Sequence, residues 1–374
     1  MDPKNITTQD FSGPNPFSRR RFLKRAGVAG ATLPIAAGMI VSACYEDPTG
    51  SKAAPTEFRQ APGAAAGPAT SPDQGVKASA DDWKKIDADH KKGVEDFLKN
   101  QATPLTKGKG NQLLPFTLDG NVKVFNLTAD EVDWEVEPGR VEKARGYNRM
   151  LPGPTIRATE GDTVRVVVKN NLTESHGVHW HGVTVPNKMD GVPFLTQEPI
   201  LPGGTWTYEF TLRNSGSHMY HAHHNSMDQV NRGLLGAFII DPKDKSTLPK
   251  FDKEVLMISN DTMLGFTLNG KGFPATDAIV AKKGERLLVR FMNEGLMMHP
   301  WHIHGLVMDV FARDGFPLLS PFKCDTLDVA PGTRWDAIIE ATEPGVWAFH
   351  CHVLSHADTH SGFFGMVTAV VVTE

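Results

Sequence analysis

Gly161-Asp162-Thr163-Val164-Arg165-Val166-Val167-Val168 returns 123 residues later as Gly284-Glu285-Arg286-Leu287-Leu288-Val289-Arg290-Phe291. Each copy is a β-branched and apolar run with Gly before it and Asn (Asn170, Asn293) after it, the composition of a strand between turns. The same shift carries His179-Trp180-His181-Gly182 onto His302-Ile303-His304-Gly305. A shift of 129 carries Pro202-Gly203 onto Pro331-Gly332, and His221-Ala222-His223 onto His350-Cys351-His352. A unit written twice fixes the architecture: two homologous domains joined within residues 241–250. Residues 206–212 and 334–340 alternate apolar and polar, while 237–240 and 367–372 read as buried final strands. Each domain is therefore expected to be an all-β sandwich.

Composition agrees. The 374 residues are 40% hydrophobic and 22% charged, a globular balance, and the 61 Gly and Pro suit a turn-rich β protein. A net charge of −4 gives no electrostatic reason to expect nucleic acid as a partner. Three cysteines cannot build a disulfide framework. Of the 15 histidines, 14 fall between positions 176 and 360.

The N-terminus reads as an address. Ser18-Arg19-Arg20-Arg21-Phe22-Leu23-Lys24 precedes an 18-residue apolar stretch, 26–43, interrupted by Pro34. A basic segment before an apolar one is a secretory signal, and the paired arginines resemble a twin-arginine signal. Val41-Ser42-Ala43-Cys44 resembles a bacterial lipobox, which would make Cys44 the lipidated first residue after cleavage. These features predict a signal over 1–43, export by the twin-arginine route, and a periplasmic or cell-surface location with contact to the membrane through a lipid anchor alone. Half of residues 45–80 are Ala, Gly or Pro, so 44–80 reads as a flexible tether. Within 81–104 the spacing of Trp83, Ile86, Val94, Phe97 and Leu98 predicts a short helix carrying His90 as a structural or surface residue. The first sandwich is placed at 105–245 and the second at 246–374.

Side chains at i and i+2 of a strand share a face, so His-x-His on a strand presents two imidazoles side by side. The chain has four such pairs, two per domain at matched positions: His179/His181, His221/His223, His302/His304 and His350/His352. Eight imidazoles from two domains can enclose a multinuclear metal cluster. Alternation turns the Cys351 sulfur to the face opposite His350 and His352, and the odd offset of His299 from His302 turns it away too. Cys351 with His299, His356 and a distant Met forms the ligand set of a blue-copper site, and Met366 is the candidate Met. Cys351 then joins both sites through its immediate neighbours.

These motifs, His179-Trp-His-Gly, His221-Ala-His, His299-Pro-Trp-His-Ile-His-Gly and His350-Cys-His-(x3)-His, resemble the four copper motifs of multicopper oxidases, and their order and span resemble the two-domain laccases. The resemblance implies two cupredoxin-like Greek-key domains and about four coppers per functional unit. It implies type 1 copper on His299, Cys351, His356 and Met366, type 2 copper on His179 and His302, and a type 3 pair on His181, His221, His223, His304, His350 and His352. It further implies one-electron oxidation of a donor at type 1, reduction of O2 to water at the cluster, and a homotrimer whose neighbouring subunits complete each cluster. Asp190 stands where the family has an acid that assists proton delivery near type 2 copper; the plainer reading is a loop Asp capping a turn.

Carried back by the repeat, His299, Cys351 and His356 fall on His176, Ala222 and Met227, so the first domain lacks the thiolate and is expected to lack blue copper. That argues against a copper nitrite reductase, whose blue copper lies in its first domain. His176 is then a vestige or a group behind the ligands. His218, His224 and His360 read as surface or supporting residues, Cys324 as a buried lone thiol, and Gln229 as structural. Two departures stand out. Ten residues separate His356 from Met366, about twice the family's usual interval, with Ser361 at the shorter spacing. Val185 occupies a position where some two-domain laccases have a redox-active Tyr. Phenols and aromatic amines are the implied donors; Cu(I), Fe(II) or Mn(II) are second, with Met297 and Met298 beside His299 as soft neighbours or plain packing. A non-enzymatic copper or electron carrier would need only the type 1 set and would leave the eight paired histidines unexplained.

Overall fold

The computed structural model describes residues 82–374; the signal, Cys44 and the tether lie outside the described residues. The predicted helix is α1 (Trp83–Asn100), which meets the body along a narrow stripe. Phe97 and Asn100 are buried, Phe97 stacks on Phe273 with ring centres 5.2 Å apart, and Asn100 Nδ2 donates to Thr276 O at 3.1 Å. Trp83, Val94 and Leu98 stay exposed, so the apolar spacing marks a helix more than a buried face. Ion pairs four residues apart, such as Lys85–Asp89 at 2.5 Å, line the solvent side. Among the described residues no helix is long and apolar enough to cross a membrane.

Two β-sandwiches follow. In domain 1 one sheet runs β1 (Phe116–Asp119), β2 (Val122–Glu137), β5 (Thr163–Asn170), β7 (Thr205–Thr211), with β3 (Arg140–Tyr147) also on β2. The facing sheet runs β4 (Gly153–Thr159), β9 (Leu235–Asp241), β8 (Gly216–Ala222), β6 (Val178–His181). In domain 2 one sheet runs β11 (Gly265–Leu268), β10 (Lys253–Thr262), β13 (Arg286–Asn293), β18 (Arg334–Glu340), β15 (Met308–Arg313), β16 (Phe316–Cys324). The other runs β12 (Ile279–Lys282), β22 (Val367–Thr373), β19 (Gly345–Cys351), β14 (His299–Ile303), β17 (Thr326–Val329). A small hairpin, β20 (Asp358–Thr359) with β21 (Gly362–Phe363), stands apart.

The repeat holds at the level of strand pairing. β2–β5 and β10–β13 are parallel, β5–β7 and β13–β18 antiparallel, β4–β9 and β12–β22 parallel. It also holds at single hydrogen bonds. Asn170 Nδ2 donates to Glu174 O and Ile200 O at 2.8 Å each, and Asn293 Nδ2 donates to Met297 O and Val329 O at 2.8 Å each. The strand-ending Asn of each copy thus replaces ladder partners with its side chain and pins the next loop. Each domain has its own apolar core, around Trp180, Tyr208 and Phe238 in one and Trp301, Phe291 and Phe349 in the other.

The domains meet through buried polar contacts. Arg157 forks onto Asp241 at 2.7 and 2.8 Å and also pairs with Glu254 across the join. Ser217 Oγ donates to Asp336 Oδ1 at 2.5 Å and accepts from Arg290 Nη1 at 2.9 Å.

Candidate metal centre

Strand register builds the clusters. On β6 and β8 His179 stands opposite His221; on β14 and β19 His302 stands opposite His350. Because i and i+2 share a face, the second residue of each pair joins the same side. Four imidazoles therefore converge in each domain. In the first quartet His179 lies 5.8, 5.4 and 5.4 Å, ring centre to ring centre, from His181, His221 and His223. In the second, His302 lies 4.8, 5.8 and 5.4 Å from His304, His350 and His352. Nitrogens face one another directly: His181 Nδ1 is 3.3 Å from His221 Nε2, and His304 Nε2 is 3.1 Å from His350 Nε2.

Backbone carbonyls set the tautomers. A carbonyl only accepts, so an imidazole N–H must point at it and the other nitrogen keeps its lone pair. His179 Nδ1 meets Asp190 O at 2.9 Å, His221 Nδ1 meets Ala222 O at 3.0 Å, His302 Nδ1 meets Asp325 O at 3.1 Å, and His350 Nδ1 meets Cys351 O at 3.0 Å. Each of these rings presents Nε2 to its quartet. Burial holds the pKa of His221 below the ordinary value, burial and secondarily the neighbouring imidazoles do the same for His179, His304 and His350, and burial pushes His181 down to about 3. Neutral imidazoles are the form that binds metal.

The third set is the triad His299, Cys351 and His356, exposed by 0, 0 and 3%. His299 Nδ1 and His356 Nδ1 are 3.3 Å apart, and each is 3.6 Å from Cys351 Sγ. Three lone-pair atoms face each other here across an apolar, enclosed centre. Burial pushes His299 down to about 3 and His356 to about 4, and pushes the Cys351 thiol up to about 12. A buried thiol and two neutral imidazoles stabilise one another poorly, and a soft cation among them supplies the missing partner; the set fits copper. Met366 is buried beside it, its N donating to His356 O at 2.9 Å and its O accepting from Cys351 N at 3.0 Å. Domain 1 makes the same bond at the matching place, Ala222 N to Leu234 O at 3.0 Å, so Met366 occupies the site of Leu234.

The remaining sequence candidates sort clearly. His176 is buried with both nitrogens engaged, Nδ1 at 2.7 Å from Gln229 Oε1 and Nε2 at 3.3 Å from the Tyr147 hydroxyl. Ala222 is buried and offers no ligand atom, while Met227 is 62% exposed, so among the described residues of domain 1 nothing completes a triad. Asp190 lies beside His179, with Oδ1 3.3 Å from Nδ1. His218 is buried against Arg334, whereas His224 lies edge-on to Phe194 at 6.0 Å. Cys324 is half-buried on the edge strand β16, not fully buried as expected of a lone thiol in a strand.

Two features carry no sequence signal. Asp261, buried on β10, accepts from Leu296 N and Met297 N at 2.5 and 2.8 Å and lies 3.7 Å from His299 Nε2. Phe266 stacks on His356 with centres 4.2 Å apart. Neither belongs to a spaced motif, and only the tertiary contact reveals it.

Two multicopper oxidase family models match residues 128–245 and 247–374. The chain belongs to the multicopper oxidase family. Among curated relatives, copper resistance protein A of Escherichia coli is 38% identical over 280 residues, which are 58% of this chain and 46% of that protein. The chain spans about half the length of the curated relatives it matches. Among solved structures, a multicopper oxidase designated mgLAC is 37% identical with a TM-score of 0.63, over 67% of this chain and 86% of the other. A blue copper oxidase from Nitrosomonas europaea is 33% identical, also at TM-score 0.63, over 67% and 85%. Both likenesses agree with two cupredoxin-like domains, and membership of the family implies copper as the cofactor.

Proposed function

We propose that the chain takes single electrons from a donor at the triad and delivers them to O2 at a centre built from the eight paired histidines, with water as the product. One observation carries this reading. Cys351 places its sulfur in the triad while its two peptide neighbours, His350 and His352, lie in the second quartet, so one short covalent path joins the sites. Copper held by these groups supplies the one-electron chemistry. His299, Cys351, His356 and Met366 would hold the type 1 ion. His179 and His302 would hold type 2, and His181, His221, His223, His304, His350 and His352 the type 3 pair. Asp190, half-exposed next to His179, is suited to pass protons inward from solvent, since each water formed takes up two.

Among the described residues no ring contact joins the two quartets within one chain, and Gly332 of domain 2 lies against His181. A homotrimer in which neighbouring chains supply opposing halves resolves this. The arginine-rich segment and Val41-Ser42-Ala43-Cys44 support twin-arginine export and a lipid anchor. Phenols and aromatic amines are the donors by resemblance; Cu(I), Fe(II) or Mn(II) form a second reading, favoured by the burial of all three triad residues.

The test is oxygen uptake by copper-loaded chain made without residues 1–43, with a one-electron aromatic donor. The expected result is four donor equivalents per O2, no peroxide, and about four coppers per chain. A blue protein that consumes no oxygen, with about one copper per chain, is a carrier; one that instead consumes nitrite is a reductase.

A further inference from the structure

Domain 2 exceeds domain 1 between the triad and the last strand. Ala222–Leu234 and Cys351–Met366 are joined by the same backbone bond, yet the second interval is three residues longer. The longer segment folds as the β20–β21 hairpin, paired Asp358 to Phe363 and Thr359 to Gly362. This hairpin is not free at the surface, because α1 lies on it. A Cβ added to Gly362 would come within 3.2 Å of His90 Cα, so the two backbones are in contact. The Phe363 ring touches His90 on the helix at 6.3 Å and Phe273 at 5.9 Å, and Phe273 stacks on Phe97 of the same helix.

Beneath this layer lies His356. Its Nδ1 points at the triad, Phe266 covers a face of its ring, and Phe364 packs edge-on to Phe266 at 6.0 Å. Ala357, next in sequence, shares an apolar cluster with Phe97 and Phe273. Helix, hairpin and the two phenylalanines thus form a continuous cover. A planar aromatic donor transfers its electron well when its ring reaches an imidazole edge, because electronic coupling falls steeply with distance. Here neither His299 nor His356 offers such an edge. A small ion or compact complex needs no ring contact and is less affected.

We propose that α1 and the β20–β21 hairpin form a cap over His356 that selects donors by size, favouring metal ions and small complexes over phenols and aromatic amines. The proposal deepens the oxidase reading and rests on electrons entering at the triad. Each donor gives up one electron, and four electrons with four protons convert O2 to two waters, so the cap changes which donor is used and not the balance.

Two full-chain variants loosen the cap by different routes. Phe363→Ala removes the ring that bridges hairpin and helix. Gly362→Ala forces a methyl group against His90 at a residue whose φ is +120°, a region that disfavours any side chain. The first readout uses folded copper-free protein and follows alkylation of Cys351 by iodoacetamide, with Cys324 as the control for general loosening. The second is anaerobic bleaching of the blue band by 2,6-dimethoxyphenol relative to hexacyanoferrate(II). Both variants are expected to speed Cys351 alkylation about tenfold with Cys324 unchanged, and to raise the phenol-to-hexacyanoferrate ratio about tenfold. Equal acceleration at both cysteines, or an unchanged donor ratio, overturns the proposal. Bleaching needs only the triad, so protein that bleaches but takes up no oxygen counts against the oxidase reading and leaves the cap result standing.

Discussion

His176 and His299 occupy the same point of the repeat, three residues before the first His-x-His pair of their domains, and the fold treats them alike up to the backbone. His176 exchanges both backbone hydrogen bonds with Ile200, and His299 pairs with Val329 at the matching place. They differ in what meets the ring. In domain 1 Gln229 and Tyr147 engage both nitrogens. In domain 2 Nδ1 faces only a thiol and a second imidazole, while Nε2 lies on the far side of the ring, 3.7 Å from Asp261. A buried polar group is costly unless it is satisfied. One domain meets that demand from the protein, whereas the other leaves it for a metal. A cupredoxin sandwich therefore does not by itself make a copper site; the groups around one histidine decide it. The sheet faces diverge in the same way. Cross-strand neighbours Val167 and Thr207 in domain 1 correspond to Arg290 and Asp336 in domain 2, where the sheet is buried against Ser217 of the first domain.

The sharpest break of this contrast is Cys351→Ser. It is expected to abolish the blue absorption and lower oxygen uptake by orders of magnitude, with the loss of one copper per chain and the quartet copper retained. Loss of all copper would show that the triad and the quartets assemble as one unit. Next is Arg290→Met, which strips the buried Asp336 of its charge partner. Urea unfolding should show a loss of about 3–5 kcal/mol, because removing one member of a buried pair leaves an uncompensated charge. A loss within error would mean that the interface tolerates Asp336 as a neutral acid. Third is His176→Ala, which leaves the Gln229 and Tyr147 polar groups unmatched in a closed core. A cost of about 2 kcal/mol is expected, with copper content and blue absorption unchanged. Any fall in copper would give His176 a part in metal binding that its hydrogen bonds do not suggest.

Much of this was legible in the sequence because the relevant periodicities are local. Alternation along a strand placed Cys351 opposite His350 and His352, and the repeat shifts gave His176, Ala222 and Met227 as the vacant counterpart of the triad. The structure agrees with each. Legibility ended where segments distant in sequence meet. Alternation says which face a residue takes but not what covers that face, so Phe266 over His356 and Asp261 behind His299 had no signal. The helix spacing was readable, yet that its His90 rests on Gly362 was not. The ten-residue interval after His356 was visible as an anomaly, and its hairpin needed the structure.

Glu294 gives the subtlest test of the comparison. It matches Asn171 of domain 1, which is exposed and donates from Nδ2 to Asp130 Oδ1 at 2.8 Å. Glu294 is buried, its Oε1 has no hydrogen-bond partner, and burial pushes its carboxyl up from 4.5 to about 8 against the pull of Arg334. The folded chain thus holds a proton that the unfolded chain releases between pH 4.5 and about 8. Stability linked to this group is fully present below that window and declines as pH rises through it. Glu294→Gln cannot titrate, so its unfolding midpoint in urea should lie nearest the parent's at the acid end and overtake it towards pH 8. Parallel curves would mean that Glu294 is ionised in the folded protein, paired with Arg334, and that this position solves its burial by charge and not by protonation.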